Sequence, residues 1–165
     1  MSDYLSALLG PDHEVGAFRC GRESLDGWLR SQARRAQEAG TARTYVWTKP
    51  GSPGVLAYYS IAPTQVTKAD VPKSLTGGYS TIPGYLLARL ALDTGLHGQG
   101  LGTELLLDAL GRIVDAAGTG GGRLIVVDAL DEPAKAFYRR HDFIPVEGTM
   151  RLYLKVATAR AALEP

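Results

Sequence analysis

The sequence has 165 residues, of which 45% are hydrophobic and 21% are charged, and its formal net charge is +1. This composition is typical of one globular domain and excludes a disordered, fibrous or strongly basic chain. No stretch is apolar for long enough to span a membrane, and the N-terminal residues lack a signal-peptide pattern. We therefore expect a single domain over residues 1–165, located in the cytoplasm.

The first half of the chain predicts a short strand, a helix and a hairpin. Residues 13–19 are compatible with a strand, and a helix is expected from Ser24, as its N-cap, to Ala39, with Gly40 ending it. The runs 41–48 and 54–62 read as two strands joined by the turn-rich segment KPGSPG. The apolar face of the helix consists of Leu25, Trp28, Leu29, Ala33 and Ala36.

The second half predicts alternating strands and helices. Residues 63–84 are rich in proline and glycine, and we expect an irregular excursion with one helical turn. Beyond it the patterns predict an α/β arrangement with parallel neighbouring strands. The expected elements are a strand over 85–92, a helix over 100–117, a strand over 123–130, a helix over 132–141 and a strand over 148–156.

The segment DTGLHGQGLGTELLLDAL, residues 93–110, places four glycines directly before a leucine-rich helix. The N–H groups at a helix start and the helix dipole attract anions, and glycines let an anion approach the backbone closely. The spacing is that of neither a P-loop nor a dinucleotide fingerprint. From the residues alone, the segment is either a phosphate site or a loop that only turns the chain.

Cysteine and histidine residues predict neither a nucleophile nor a metal site. Cys20 is the single cysteine, which excludes an internal disulfide and is typical of a reducing compartment, and we expect a packed thiol. The three histidines, His13, His97 and His141, are scattered without the spacing of metal ligands, so we predict no metal.

The segments LARLALD, HGQGLGTELLLDAL and DALDEPAKAFYRRHDF together resemble the GNAT acyl-CoA N-acetyltransferases. The resemblance implies an α/β GNAT fold: a mixed, mostly antiparallel sheet flanked by helices, with a parallel central strand pair splayed to admit acetyl-CoA. In this family the pattern Arg/Gln-x-x-Gly-x-Gly/Ala binds the CoA pyrophosphate. Gly100 and Gly102 match this pattern, whereas His97 stands where arginine or glutamine is usual.

The chain is more similar still to one branch, the GNAT toxins of bacterial toxin–antitoxin modules. The resemblance covers residues 18–154 and rests on an LDGWL helix, an RTYV strand, a YYS strand and LARLALD in one order. It implies a toxin that acetylates the α-amino group of aminoacyl-tRNA and blocks translation. A ribbon-helix-helix antitoxin and a homodimer are the implied partners. Asp142 stands where the branch usually has glycine.

The implied site combines a cofactor set, one catalytic tyrosine and a basic surface. Tyr138 matches the tyrosine that protonates the departing CoA thiolate, although a packed helix tyrosine is the alternative. His141 is either a further proton carrier or a surface histidine. The expected acetyl-CoA contacts are Leu90, Ala91, Leu92, His97, Gly98, Gln99, Gly100, Leu101 and Gly102. The expected tRNA contacts, unless they are solvated surface charges, are Arg30, Arg34, Arg35, Arg43, Arg89, Arg139 and Arg140.

The central strand LLARLAL contains no carboxylate before Asp93. A lysine amine, with a reference pKa of about 10.4, needs a base, whereas an α-amine of pKa about 7.7–8.0 is already partly neutral. The missing base favours an α-amine acceptor. Two other functions stay open, namely N-acetylation of a small molecule or protein and CoA binding without catalysis, and the presence of Tyr138 argues against the last.

Overall fold

The computed structural model describes residues 3–165 as seven strands and six helices, with one 3₁₀ turn at Thr94–Leu96. The strands are β1 (Leu5–Leu8), β2 (Arg43–Thr48), β3 (Ala57–Thr67), β4 (Thr81–Leu92), β5 (Leu124–Asp128), β6 (Ile144–Pro145) and β7 (Arg151–Lys155). The helices are α1 (Glu23–Ser31), α2 (Ala33–Ala39), α3 (Lys73–Thr76), α4 (Leu101–Gly120), α5 (Glu132–Arg140) and α6 (Val156–Leu163).

Hydrogen bonds join the strands in the order β1-β2-β3-β4-β5-β7-β6. The pair β4–β5 is parallel, and the pairs β1–β2, β2–β3, β5–β7 and β6–β7 are antiparallel. Parallel pairing is short, from Gly84 opposite Leu124 to Leu86 opposite Val126. This is the predicted α/β fold, with a mixed sheet and a parallel central pair.

Glycine is required where β4 meets β5. A Cβ atom on Gly84 would lie 2.5 Å from the carbonyl oxygen of Leu124, so any larger residue would push the two strands apart. The parallel pairing therefore depends on a glycine inside a strand, where glycine is otherwise unfavourable.

The chain divides into two compact units, each with its own core. One unit holds the residues up to Ala62 together with Ala88–Ala109, and the other holds Pro63–Leu87 with Leu110–Pro165. The core of the first includes Phe18, Leu29, Val46, Tyr58 and Ala91. The core of the second includes Val66, Ile82, Leu124, Val126 and Tyr153.

Three hydrogen bonds attach the first part of α4 to strands of the first unit. Asp108 Oδ2 accepts from Ser6 Oγ at 2.6 Å, from Tyr59 Oη at 3.0 Å and from Trp47 Nε1 at 3.2 Å. These donors belong to β1, β3 and β2, so one carboxylate ties the first part of α4 to three strands. Hydrogen bonds to a charged acceptor are the stronger kind, so they hold this part of α4 against the strands.

Several predicted boundaries were wrong. Residues 13–19 form no strand and contribute only an isolated bridge from Glu14 to Gly54, whereas the first strand is β1. The single helix predicted after Ser24 is two helices, α1 and α2, because Gln32 leaves helical geometry at φ −120°. The N-cap of α1 is Arg22, not Ser24. Gly40 ends α2 with φ 75°, as predicted. The excursion over 63–84 is more regular than expected, because β3 and β4 extend into it around the single turn of α3.

The turn after α5 keeps the conformation that glycine favours, although aspartate occupies it. Asp142 has φ 70° and is the one non-glycine residue with positive φ among the described residues. Its N–H donates to the carbonyl oxygen of Arg139 at 3.1 Å, and that of Phe143 donates to the carbonyl oxygen of Tyr138 at 3.1 Å. The turn geometry is thus retained at the cost of a strained residue.

We expect Asp142→Gly to raise the free energy of unfolding by ~0.5–1 kcal/mol, because relief of left-handed strain exceeds the entropy that glycine adds to the unfolded chain. Urea unfolding measures the change. Asp12→Gly, at an exposed turn position without positive φ, is the control and should not stabilise the protein. Equal or lower stability of Asp142→Gly would contradict the strain assigned to this turn.

Candidate active site

The glycine segment forms an open, left-handed turn at the start of α4. Gly98 and Gly100 have φ values of 78° and 75°, and both are exposed. No atom lies within 4 Å of the place where a Cβ on either residue would be. These glycines are therefore required by backbone conformation and leave space above the loop, whereas Leu101 and Gly102 already belong to α4. Such a turn before a helix is suited to bind a phosphate.

Asp93 holds the beginning of this loop. Its Oδ1 accepts from the N–H of Gly95 at 3.0 Å, and its Oδ2 accepts from the N–H of Arg19 at 3.1 Å. The N–H of Asp93 in turn donates to the carbonyl oxygen of Leu56 at 2.9 Å. The first carboxylate after the central strand thus has a structural role in shaping the loop.

His97 and Gln99 also turn back onto the loop. His97 Nε2 lies 2.9 Å from the carbonyl oxygen of Leu92, and Gln99 Nε2 donates to the carbonyl oxygen of Gly95 at 3.2 Å. Both side chains therefore brace the backbone. The departure from arginine or glutamine at position 97 leaves the turn intact.

Side chains at the end of β4 alternate between the two faces of the sheet. Ala91 is 6% exposed and belongs to the first core, while Leu90 and Leu92 alternate with it and are half-buried. Since side chains alternate along a strand, Arg89 lies on the same face as Ala91. The predicted contacts Leu90, Ala91 and Leu92 thus differ in what their side chains reach.

Tyr138 lies on α5 and is 8% exposed. Its ring packs edge-on against Phe137, with 5.3 Å between ring centroids, and against Phe143, at 5.4 Å. Burial raises the pKa of Tyr138 above its usual value, so its hydroxyl is protonated throughout the neutral range. The ring is packed, as in the alternative of a packed helix tyrosine, and its protonated hydroxyl is able to donate a proton.

The start of α5 is well defined. Asp131 Oδ1 caps it by accepting from the N–H of Ala134 at 2.9 Å, and Pro133 occupies its first turn. Near its end, Arg139 and Arg140 are exposed, and His141 packs edge-on against Phe137 at 4.9 Å. Tyr138 is therefore carried by a capped helix beside two exposed cations.

The predicted basic residues of the first unit differ in their exposure and in the groups that they contact. Arg30 forms an ion pair with Glu23 at 2.7 Å, and Arg34 donates to the carbonyl oxygens of His13 and Gly10 at 2.7 and 3.1 Å. Arg35 and Arg43 are exposed. The guanidinium carbon of Arg89 lies 3.8 Å from the ring centroid of Trp28. The helical pattern predicts Trp28 on an apolar face, but such a pattern does not show which strand residue the ring contacts, so the contact with Arg89 could not be predicted.

Cys20 is buried next to Asp26. Burial, together with the hydrogen bond to Asp26, raises the pKa of the Cys20 thiol to about 11. The thiol is protonated at neutral pH and is therefore a poor nucleophile. Among residues 3–165, no three histidine, cysteine or acidic side chains come together as a metal-binding group.

The mixed sheet, the short parallel pair and the glycine turn before α4 are features of the GNAT fold, and together with the relatives they assign the chain to the acetyl-CoA-dependent N-acetyltransferases. The sequence is 38% identical over 152 residues to the tRNA-acetylating toxin of Mycobacterium tuberculosis, covering 91% of this chain and 90% of that protein. The chain belongs to this family of tRNA-acetylating GNAT toxins. No protein-family model matches it.

Two solved structures of AtaT are also similar. AtaT complexed with acetyl-methionyl-tRNAfMet is 28% identical with a TM-score of 0.89, covering 98% of this chain and all (100%) of that one. A tyrosine-to-phenylalanine variant of the AtaT toxin, bound to acetyl-CoA and the C-terminus of the antitoxin AtaR, is 26% identical with a TM-score of 0.85. That match covers 99% of this chain and 100% of the variant.

Proposed function

We propose that this protein is a toxin that transfers the acetyl group of acetyl-CoA to the α-amino group of an aminoacyl-tRNA and so blocks translation. The proposal rests on the 38% sequence identity to a tRNA-acetylating toxin, which extends over 91% of this chain. The exposed glycine turn supports the donor, because it offers unhindered backbone to a pyrophosphate.

Acetyl-CoA is proposed to bind through its phosphates at the glycine turn and through its pantetheine arm at the end of β4. The turn supplies Gly98, Gly100 and the first residues of α4, Leu101 and Gly102. His97 and Gln99 brace it through their own backbone contacts. The strand supplies Leu90, Ala91 and Leu92, and the buried side chain of Ala91 leaves its backbone as the part that can contact the cofactor.

The reaction needs little acid–base chemistry. A neutral α-amine attacks the thioester carbonyl and forms the carbon–nitrogen bond of the amide, the extra proton on its nitrogen passes to water, and the carbon–sulfur bond breaks to release the CoA thiolate. From Thr81 to Leu92, β4 carries no carboxylate that would serve as a base, which suits an α-amine that is partly neutral near pH 8. We assign Tyr138 as the acid that protonates the departing thiolate.

Arginines of the first unit and, separately, arginines of the second unit are proposed as contacts of the acceptor tRNA. Arg35, Arg43, Arg139 and Arg140 are exposed, Arg30 is partly engaged by Glu23, and Arg34 by two backbone carbonyls. Contacts to phosphates contribute affinity that depends on salt, because binding releases counterions. The exposed arginines are the best candidates for these salt-dependent phosphate contacts.

Changing Arg139 and Arg140 together to glutamate is expected to weaken tRNA binding and to reduce the slope of log affinity against log salt by about 1.4–1.8, or 0.7–0.9 per lost phosphate contact. Acetyl-CoA affinity should stay the same. The double variant Lys155→Glu and Arg160→Glu, at exposed sites on β7 and α6, makes the same charge change as a control. An unchanged salt slope in the first variant would remove this patch from the tRNA site.

Several partner and localisation assignments belong to the same proposal. We infer a cytoplasmic protein that acts as one catalytic domain over residues 1–165, forms a homodimer and is neutralised by a ribbon-helix-helix antitoxin. Within residues 3–165, no helix has the length and apolar character needed to cross a membrane.

Mass spectrometry of total tRNA after incubation with acetyl-CoA and the protein tests the proposal. We expect acetyl groups on the α-amine of the aminoacyl ester, and none on deacylated tRNA. Acetylation of a small amine or a protein with untouched aminoacyl-tRNA would overturn the assignment of the acceptor.

A further inference from the structure

Arg89, on β4, is a half-buried cation that lies against an aromatic ring. Its guanidinium carbon is 3.8 Å from the ring centroid of Trp28. Within residues 3–165, no carboxylate forms an ion pair or hydrogen bond with it. Burial lowers the pKa of Arg89, but an arginine stays charged at neutral pH. A half-buried positive charge without an anionic partner is costly, so an anion is its natural complement.

Trp28 is itself held in place. It packs on the first core from α1, and its ring is nearly parallel to that of Tyr58, with an interplanar angle of 10° and 6.2 Å between centroids. Tyr58 is 0% exposed, and its hydroxyl donates to the carbonyl oxygen of Leu25 at 2.8 Å. The ring facing Arg89 is therefore fixed by the core and by α1.

The aromatic face does something that a carboxylate would not. It attracts the guanidinium through its π electrons and leaves the N–H donors in the plane of the group unoccupied. A carboxylate partner would use two of these donors and cancel the charge. Stacking on the ring thus orients the guanidinium and leaves its N–H groups able to donate hydrogen bonds to a phosphate.

We propose that Trp28 is a positioning residue that holds the Arg89 guanidinium flat against its ring, so that Arg89 donates hydrogen bonds to a phosphate of the acceptor end of the tRNA. This rests on the proposed function. The phosphates of CoA are the other source of the same chemistry. The tRNA is favoured because Arg30 shares α1 with Trp28 and the following helix α2 carries Arg34 and Arg35, whereas the glycine turn is proposed to bind the CoA phosphates.

The experiment compares Trp28→Phe, Trp28→Met, Arg89→Lys, Arg89→Met and the double variant Trp28→Met/Arg89→Met. We expect Trp28→Met to raise KM for aminoacyl-tRNA about 3- to 10-fold with little change in kcat, the range of a lost cation–π contact. Trp28→Phe keeps an aromatic face and should stay within about twofold of the parent. Affinity for acetyl-CoA, measured by calorimetry, should be the same for all variants.

The double variant separates positioning from packing. If Trp28 acts through Arg89, Trp28→Met has no further effect on KM once Arg89 is methionine, whereas independent effects multiply. Arg89→Met should also reduce the salt slope of tRNA binding by about 0.7–0.9, one phosphate contact. Multiplying effects, or an unchanged slope, would overturn the proposal.

Arg89→Lys keeps the test valid should Trp28→Met not fold. Lysine retains the charge but cannot stack as a plane, so it should show the same rise in KM as loss of the ring. Parent-like KM for Arg89→Lys would refute the positioning role, and weaker acetyl-CoA binding with unchanged tRNA binding would refute the choice of anion. If the parent protein leaves aminoacyl-tRNA unmodified, the proposed function itself is refuted. That result is obtained without any of the variants, so it is distinct from a failure of the positioning role.

Discussion

Replacing Gly100 with valine is expected to lower acetyl-CoA affinity about 10- to 100-fold, equivalent to one charge-assisted hydrogen bond of ~1.5–3 kcal/mol. The space above Gly100 is open, so the valine side chain would occupy the volume that the pyrophosphate needs. The left-handed φ of 75° also disfavours a branched residue, so the loop would shift away from its N–H geometry. Isothermal titration calorimetry with acetyl-CoA measures the loss.

A matched control separates cofactor binding from backbone strain. Gly148 has a φ of 76° and, like Gly100, no atom within 4 Å of the place where a Cβ would be, but it lies between β6 and β7. Gly148→Val therefore adds the same strain outside the glycine turn. We expect it to reduce thermal stability to a similar extent and to leave acetyl-CoA binding unchanged. Equal acetyl-CoA affinity in Gly100→Val and the parent would remove the pyrophosphate from this loop.

The order of the main elements could be predicted because each follows from a local pattern. Leucines at helical spacing after a glycine turn predicted α4, and the continuous apolar run around Leu86 predicted β4. The break at Gln32 could not be predicted, since the apolar periodicity of α1 continues into α2 while the backbone leaves helical geometry at that residue. β1 was missed because its residues are mostly exposed and carry no alternating apolar pattern.

Side-chain partners were the least predictable part of the site. The spacing of Arg34 and Glu38 is compatible with an ion pair along a helix, but Arg34 instead donates to the carbonyl oxygens of Gly10 and His13, more than 20 positions earlier in the chain. The contact between Arg89 and Trp28 likewise depends on which elements pack together. Residue type predicted a basic site, whereas tertiary packing decides which of its cations are exposed.

Replacing Tyr138 with phenylalanine is expected to lower kcat about 10²- to 10⁴-fold, the usual contribution of a general acid. The change removes one oxygen from a ring packed between Phe137 and Phe143, so the stability of α5 and the affinity for acetyl-CoA should hold. Single-turnover acetylation of aminoacyl-tRNA measures the rate, and expression in cells should no longer arrest growth.

The pH dependence of the rate constant should be set by the α-amine and not by Tyr138. Burial raises its pKa, and a raised pKa in an acid favours the protonated form, so the hydroxyl remains a donor below about pH 10. The rate constant of the parent should therefore rise with pH as the α-amine loses its proton near pH 8, and then stay level to about pH 9.5. Phenylalanine should lower the whole profile without moving its midpoint. A variant that acetylates tRNA at the parent rate would make Tyr138 a packing residue only, and proton delivery would then fall to His141 or to water.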